Sequence, residues 1–553
     1  MKTMIWRFFA LMLASALLTA TARANVYATD IKFNGTRSLI TTNAAGSLTI
    51  SYILNEPATS GAAINITSGT NLIRTISVGP GTNGTWRGAN LMRWDGYDAN
   101  TNPVPVGNYV ISITASAAGY TDWTQISLDA NPANYTYDPR GVAVDNNSNS
   151  LFYGRVFIGN AGTGPNPATT PGDNDTILKL NADGTFADDG PDGNGGFDGI
   201  FDDGLSDVPQ KLRVAEDDRL YMMDLTSFGE VVAFDMALST NQVVLDENNY
   251  INNPYYGILT GGSGWFSMDV TDAATTNGLV WLGEIDAGGA GVWNWHLISG
   301  QADTNDETGN WAVAVGGSLS VAASGGLMVD TNLDIFVGQN LAAAAETNAA
   351  CMDFTNWNRG MAFNGSAVTN STAWTAGGGD STFLGVYDTT IDSRQRPRYA
   401  ACALNGNPVT NGIRILNALT GATSVANLDP TNQYYATAWD NAGNLYAVTG
   451  SAHLLRVYSP PSGANQATTA AAIQIVAGVV SITDNHTSVT VTLVASETNT
   501  AADFSFVSAP VINGPFQTVS NAVVTQPKPY LFEFTAPVNG PEQFYEIIPV
   551  SNQ

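Results

Sequence analysis

A strand unit recurs, imperfectly, about every 50 to 60 residues between positions 137 and 463 of this 553-residue chain. Its cleanest copy, residues 435–463, reads YATAWDNAGNLYAVTGSAHLLRVYSPPSG. An alternating apolar strand runs into an Asp-Asn turn, a second strand follows and a third ends the unit. Such a unit cannot bury both of its faces alone, so copies must stack, and radial stacking of small antiparallel sheets gives a propeller. The spacing predicts six sheets, or seven if residues 311–321 supply another.

The six copies begin at RGVAVDNNSNSLFYGRVFIGNAG (140–162), QKLRVAEDDRLYMMDLTSFGEVVAFDM (210–236), WFSMDVTDAATTNGLVWLGEIDAGGAGVWNWHLI (265–298), GGLMVDTNLDIFVGQNL (325–341), the strands of 383–416, and residue 435. An acidic residue recurs near the first turn: Asp145, Glu216, Asp269, Asp330 and Asp440. Asp caps such turns by accepting from nearby backbone amides, and that is the reading adopted for this set. The x-G-V-A-V-D opening and the N-L-Y-A-V second strand resemble NHL-repeat and gluconolactonase-like propellers. Among the enzymes of that class, the resemblance implies calcium held in the central channel by Glu, Asn and Asp of inner strands, with Glu216 and Asp269 the first positions to test.

Residues 25–128 alternate as short strands between Gly, Asn and Pro turns, the pattern of a β-sandwich. Trp94-Asp95-Gly96 and Val104-Pro105-Val106-Gly107-Asn108-Tyr109 resemble the immunoglobulin-like domain of FlgD-type proteins, which implies a spacer or attachment module. Trp94 reads as a core residue and Gly96 as a turn residue. The expected organisation is a signal peptide at 1–24, the Ig-like sandwich at 25–128, linkers at 129–138 and 464–470, a propeller at 139–463 and a C-terminal β-sandwich at 471–553. The fold class is therefore all-β, a six-bladed or seven-bladed β-propeller flanked by two sandwiches. The C-terminal segment resembles small β-domains of secreted bacterial surface proteins, and its last strand offers an edge for pairing with another molecule.

Lys2 and Arg7, the apolar stretch 8–18 and Ala22-Arg23-Ala24 form a secretory signal, so the expected location is secreted or at a bacterial cell surface. The chain carries a net charge of -27 with only five lysines (Lys2, Lys32, Lys179, Lys211 and Lys528), which disfavours nucleic acid as a partner. Cys351 and Cys402 are the only cysteines; in an exported chain they either form a disulfide or stay as two buried thiols.

The segment 181–207 carries Asp183, Asp188, Asp189, Asp192, Asp198, Asp202, Asp203 and Asp207 with no Lys or Arg. Carboxylates interleaved with glycine suit calcium, and Asp188, Asp189, Asp192, Asp198, Asp202 and Asp203 are the candidate ligands; a solvated insert is the alternative. Three histidines, His296, His453 and His486, are too few for a polyhistidine metal site in the propeller. Trp293 and Trp295 share one face of a strand, either as packing between blades or as a stacking platform for a glycan or protein. These features predict a non-enzymatic extracellular scaffold, a surface, matrix or filament component that binds a protein or glycan or assembles with itself. The rival is a calcium-dependent gluconolactonase-like hydrolase.

Overall fold

The computed structural model describes residues 25–37, 39–42, 48–161, 176–187, 196–198, 209–224, 230–246, 265–284, 291–302, 308–310, 324–329, 334–339, 349–353, 372–376, 386–391, 399–406, 410–476, 478–485, 487–496, 498–511, 514–538 and 543–550. The chain divides into two compact units, one of residues 118–465 with the N-terminal end, the other of residues 26–117 joined by 466–553.

Among the described residues the first unit holds six antiparallel sheets in chain order. Their first strands are Pro139–Val144, Pro209–Val214, Trp265–Thr271, Ser324–Val329, Val386–Ile391 and Tyr434–Trp439. Each first strand packs beside the next, and the sixth packs beside the first, so the ring closes. The chain is a β-propeller. Residues 311–321, the candidate for a seventh sheet, lie outside the described residues.

The sixth sheet is completed from the other end of the unit. Thr124–Gln125 pairs with Leu454–Ser459, so a strand preceding sheet one supplies the outer edge of sheet six. Arg456 grips Asp129 through two contacts, Nε–Oδ1 at 3.2 Å and Nη2–Oδ2 at 2.6 Å, and also donates to Asp429. The stretch 129–138, expected as a linker, contains a 3-10 turn, Pro132–Asn134, capped by the Asn131 side chain.

Every first strand carries the same irregularity. Its register against the second strand shifts near its start, leaving one extra residue: Arg140, Gln210, Phe266, Gly325, Tyr387 and Tyr435. A bulge re-aims the side chains that follow it. The residues just past the bulge are Gly141, Lys211, Ser267, Gly326, Asp388 and Ala436, which form one level of the ring. Two positions later lie Ala143, Arg213, Asp269, Met328, Thr390 and Ala438. Sheets one and two approach so closely that a Cβ on Gly159 would stand 2.5 Å from the Pro209 carbonyl oxygen.

The second unit contains a sandwich of two sheets. One is ordered Ala28–Phe33, Leu48–Leu54, Gly88–Trp94; the other Leu39–Thr42, Asn465–Val476, Gly107–Ala117, Gly61–Ser68, Asn71–Val78. Trp94 and Tyr109 lie buried in its core; the Trp94 indole donates to Tyr97 O at 2.9 Å and the Tyr109 hydroxyl to Pro105 O at 2.6 Å. Gly96 turns the chain at φ 75°. The stretch 464–470, expected as a joint, lies almost wholly within the strand Asn465–Val476, whose Ile473 and Ile475 enter this core. Residues 478–550 add a four-stranded and a three-stranded sheet around Val491, Phe506, Phe532 and Phe534.

Candidate functional site

Sheets two and five stand on opposite sides of a six-sheet ring. From them, at one level past the bulge, come Lys211 and Asp388, whose Nζ and Oδ1 lie 3.5 Å apart with neither side chain exposed. The other four sheets place Gly141, Ser267, Gly326 and Ala436 at this level, small residues that leave room for the bridge. The pair is tied to sheet six, because the Thr437 amide donates to Asp388 Oδ2 at 2.9 Å and Lys211 donates to Tyr435 O at 3.4 Å. Burial pulls the Lys211 ammonium down to about 8, against the opposing attraction of Asp388.

One level on, Arg213 faces Asp269 from the neighbouring sheet, Nε–Oδ1 3.6 Å. Arg213 also donates to Leu327 O at 3.1 Å and stands 3.8 Å from Asp388 Oδ1. Asp269 accepts from the amides of Val270 at 2.9 Å and Val329 at 2.6 Å. Burial pushes its carboxyl up to about 6, with Arg213 and the two amides pulling the other way. Five of the six sheets thus share one buried charge network, while Arg213 Nε and Asp388 Oδ1 make no hydrogen bond. The axis is occupied by charges that already face opposite charges.

Above the network lies a cavity of about 500 Å³, lined from all six sheets where the first strands end. Its wall includes Asn147 and Asn149, Arg213 and Glu216, Asp269 and Asp272, Val329, Thr390, Thr437 and Asp440. Asp440 is spent on its own turn, accepting from the amides of Ala442 at 2.9 Å and Asn444 at 2.8 Å and from the Asn444 side chain at 2.7 Å. Asp145 does the same for Asn147 at 2.9 Å, and burial pushes its carboxyl up to about 6.

The recurrent acidic residue is thus turn chemistry at Asp145 and Asp440. At Asp269 that expectation is corrected, since it sits inside the strand Trp265–Thr271 and faces Arg213. The position in step with Asp145 and Asp440, five places past the bulge, is Thr271, and Asp272 lies one place beyond it. Glu216 lies one place beyond the equivalent Ala215. Asp330 lies outside the described residues.

Trp295 is fully buried between sheets two and three with Tyr221, Met268 and Leu282. It packs the blades, which corrects its candidacy as an exposed stacking platform. Trp293 lies on the same strand, Gly291–Ile298, and its side chain is outside the described residues. Of the six candidate calcium ligands, Asp198 ends the outer strand Gly196–Asp198, with its side chain outside the described residues; Asp188, Asp189, Asp192, Asp202 and Asp203 lie outside them altogether. Cys402 is buried in the core of sheet five beside Phe336 of sheet four. Phe336 pairs across its sheet with Cys351, whose side chain, and with it the expected disulfide, falls outside the described residues. His453 stacks on Tyr137 and contacts its carbonyl oxygen, a structural role.

Lys211, Arg213 and Asp388 were not legible as a set. The available signal was Lys211 itself, one of five lysines in the chain, placed with Arg213 in a strand, PQKLRV, that the repeat required to be interior.

No protein-family profile and no curated protein sequence matches this chain. Among solved structures it is similar to the WD40 propeller domain of Doa1, at 11% identity over 62% of this chain and 97% of that one, with a TM-score of 0.34. It is also similar to the calcium structure of a Trichoderma reesei carbohydrate-active enzyme of family AA12, at 12% identity over 62% and 97% with a TM-score of 0.38. A third similar structure is an auxiliary nutrient binding protein from Bacteroides ovatus, at 9% identity over 76% and 95% with a TM-score of 0.35.

Proposed function

We propose that this chain is an exported, non-enzymatic binding scaffold whose propeller presents the axial cavity to a partner. The observation that carries the reading is the pairing of Lys211 with Asp388 and of Arg213 with Asp269 on the ring axis. A calcium site in that channel requires several oxygen ligands free of competing cations. Here an ammonium and a guanidinium hold the space beside both carboxylates, and they repel a divalent ion. Among the described residues no three His, Cys, Asp or Glu side chains cluster as metal ligands do.

The first 24 residues support export, and no helix among the described residues is long and apolar enough to cross a membrane. The FlgD-like motif around Trp94 supports a spacer or attachment role for the N-terminal sandwich at a cell surface. Calcium enters this reading only as a structural ion of the acidic segment 181–207, where it would raise the melting temperature at millimolar concentration.

The test is incubation of the mature chain with aliphatic lactones, with and without calcium. The scaffold reading expects no turnover above buffer. Calcium-dependent turnover that Asp269→Asn abolishes would establish the hydrolase instead.

A further inference from the structure

Asn25 is the first residue past the predicted signal peptide, and it lies in the first unit of the fold with 1% of its surface exposed. Its polar groups are taken by the far end of the propeller sequence. The backbone N–H donates to Asn465 Oδ1 at 3.2 Å, and the side-chain Nδ2 donates to Pro460 O at 3.2 Å. The Asn25 carbonyl oxygen accepts from Asn444 Nδ2 at 3.0 Å.

The pocket that makes these contacts is itself fixed. Asn444 is fully buried; the same Nδ2 also donates to Asp440 Oδ2 at 2.7 Å, and its Oδ1 accepts from Ser459 Oγ at 2.6 Å. Asn465 is held by its own Nδ2, which donates to Ser462 Oγ at 3.1 Å and Gly463 O at 2.9 Å. Residue 25 thus ties the turn between the first two strands of sheet six to the chain that leaves the sheet after Ser459. Without it, Asn465 Oδ1 and the Pro460 carbonyl lose these donors, and a buried polar group that loses its partner costs free energy.

Ala22-Arg23-Ala24 places the peptidase cut on the bond before this residue. A protease takes up the residues beside the bond it cuts in extended form, as an added strand, which residue 25 cannot supply from inside the pocket. The cut and the docking exclude each other, so the cut comes first. Hydrolysis consumes one water, leaves the Ala24 carboxylate on the signal peptide and leaves the α-amino group on Asn25, where its nitrogen reaches Asn465 Oδ1.

We propose that the pocket of Asn444, Pro460 and Asn465 is a receptor for the chain's own mature amino terminus. The residue freed by signal peptidase inserts there and pins sheet six, and a precursor that folds first keeps its signal peptide. This rests on the export reading above and adds to it the place where the new terminus binds and the order of processing and folding.

Two measurements on the full chain test it. In the first, the mature chain is acylated at pH 7, and mass spectrometry reads labelling at the α-amino group and at the half-buried Lys528. An exposed α-amine outruns lysine at this pH, because less of it is protonated. The proposal expects the reverse in the folded chain, with the α-amine labelled at least about tenfold more slowly than in urea. In the second, the precursor of residues 1–553 is folded and then given signal peptidase. Its cleavage is expected to be at least about tenfold slower than that of the same precursor diluted from urea directly into the enzyme. A smaller protection in either measurement, or an α-amine that outruns Lys528 in the folded chain, overturns the proposal and leaves the export reading standing. A secreted chain that does not begin at Asn25 fails both together, and the scaffold reading fails separately, on calcium-dependent lactone turnover.

Discussion

Lys211 and Asp388 meet on the ring axis with neither side chain exposed, whereas Arg456 meets Asp129 at the seam of sheet six with 44% of the aspartate side chain exposed. The seam contact has the better geometry, a two-point grip at 3.2 and 2.6 Å against a single approach at 3.5 Å. It nonetheless matters less to stability per charge, because water replaces a lost partner at the seam and cannot do so on the axis. A buried pair need not be more stabilising than apolar side chains of the same volume, but removing one partner strands the other. The axis therefore depends on balance, and the seam on local fit.

The largest expected effect follows directly. Asp388→Asn leaves the Lys211 ammonium buried without its counter-charge, and urea unfolding should show a loss of about 3–5 kcal/mol. A loss below about 1 kcal/mol would mean that the bridge is not balanced as described. Next comes the packing that holds the axis in register. Gly159→Ala drives a methyl to 2.5 Å from the Pro209 carbonyl oxygen, which should cost about 1–3 kcal/mol in the same assay.

At the seam, Asp129→Asn should cost only about 1 kcal/mol, because half-exposed ion pairs contribute little. Its signature is local: faster amide exchange in Leu454–Ser459, the strand that pairs with Thr124–Gln125, and unchanged exchange in Pro209–Val214. Equal acceleration in both strands would erase the distinction between axis and seam.

The smallest effect is on pH. The Asp269 carboxyl, raised to about 6 in the folded chain from its ordinary 3.8, is bound to a proton in the native state over a range where the unfolded chain has released it. Its contribution to stability is complete below pH 3.8 and is lost as pH rises through about 6. Asp269→Asn should remove that slope, so the stability of the unmodified chain minus that of the variant should decline from pH 4 to pH 6. A difference that is flat or rising across this window contradicts the burial of Asp269.

The propeller was legible because its determinants are local: alternation with period two, and Asp or Asn turns such as those of Asp145 and Asp440. The charge network was not, because it is made by register. Nothing near Lys211 in the sequence announces Asp388; the bulge common to all six first strands brings them to one level. The same blindness affected the ends of the units. Thr124–Gln125 is too short to show a period, and the Thr and Ala of Asn465–Val476 imitate a linker until Ile473 and Ile475 reveal its buried face. Trp295 followed the blander of its two readings, and Asp269 departed from turn chemistry because it lies three places past the bulge, level with Arg213 inside the strand, whereas Asp145 and Asp440 lie five places past it at the turn.

The central claim is that the propeller axis is closed by paired charges and is not an open set of carboxylates waiting for a metal. A double-mutant cycle on Lys211→Met and Asp388→Leu, read by equilibrium unfolding, tests it most directly. The account predicts that each single change destabilises by about 3–5 kcal/mol and that the double variant is destabilised by at least about 2 kcal/mol less than the sum of the two, the remaining loss being the Thr437 amide left without its acceptor. A double variant destabilised by the sum of the two single effects would contradict it.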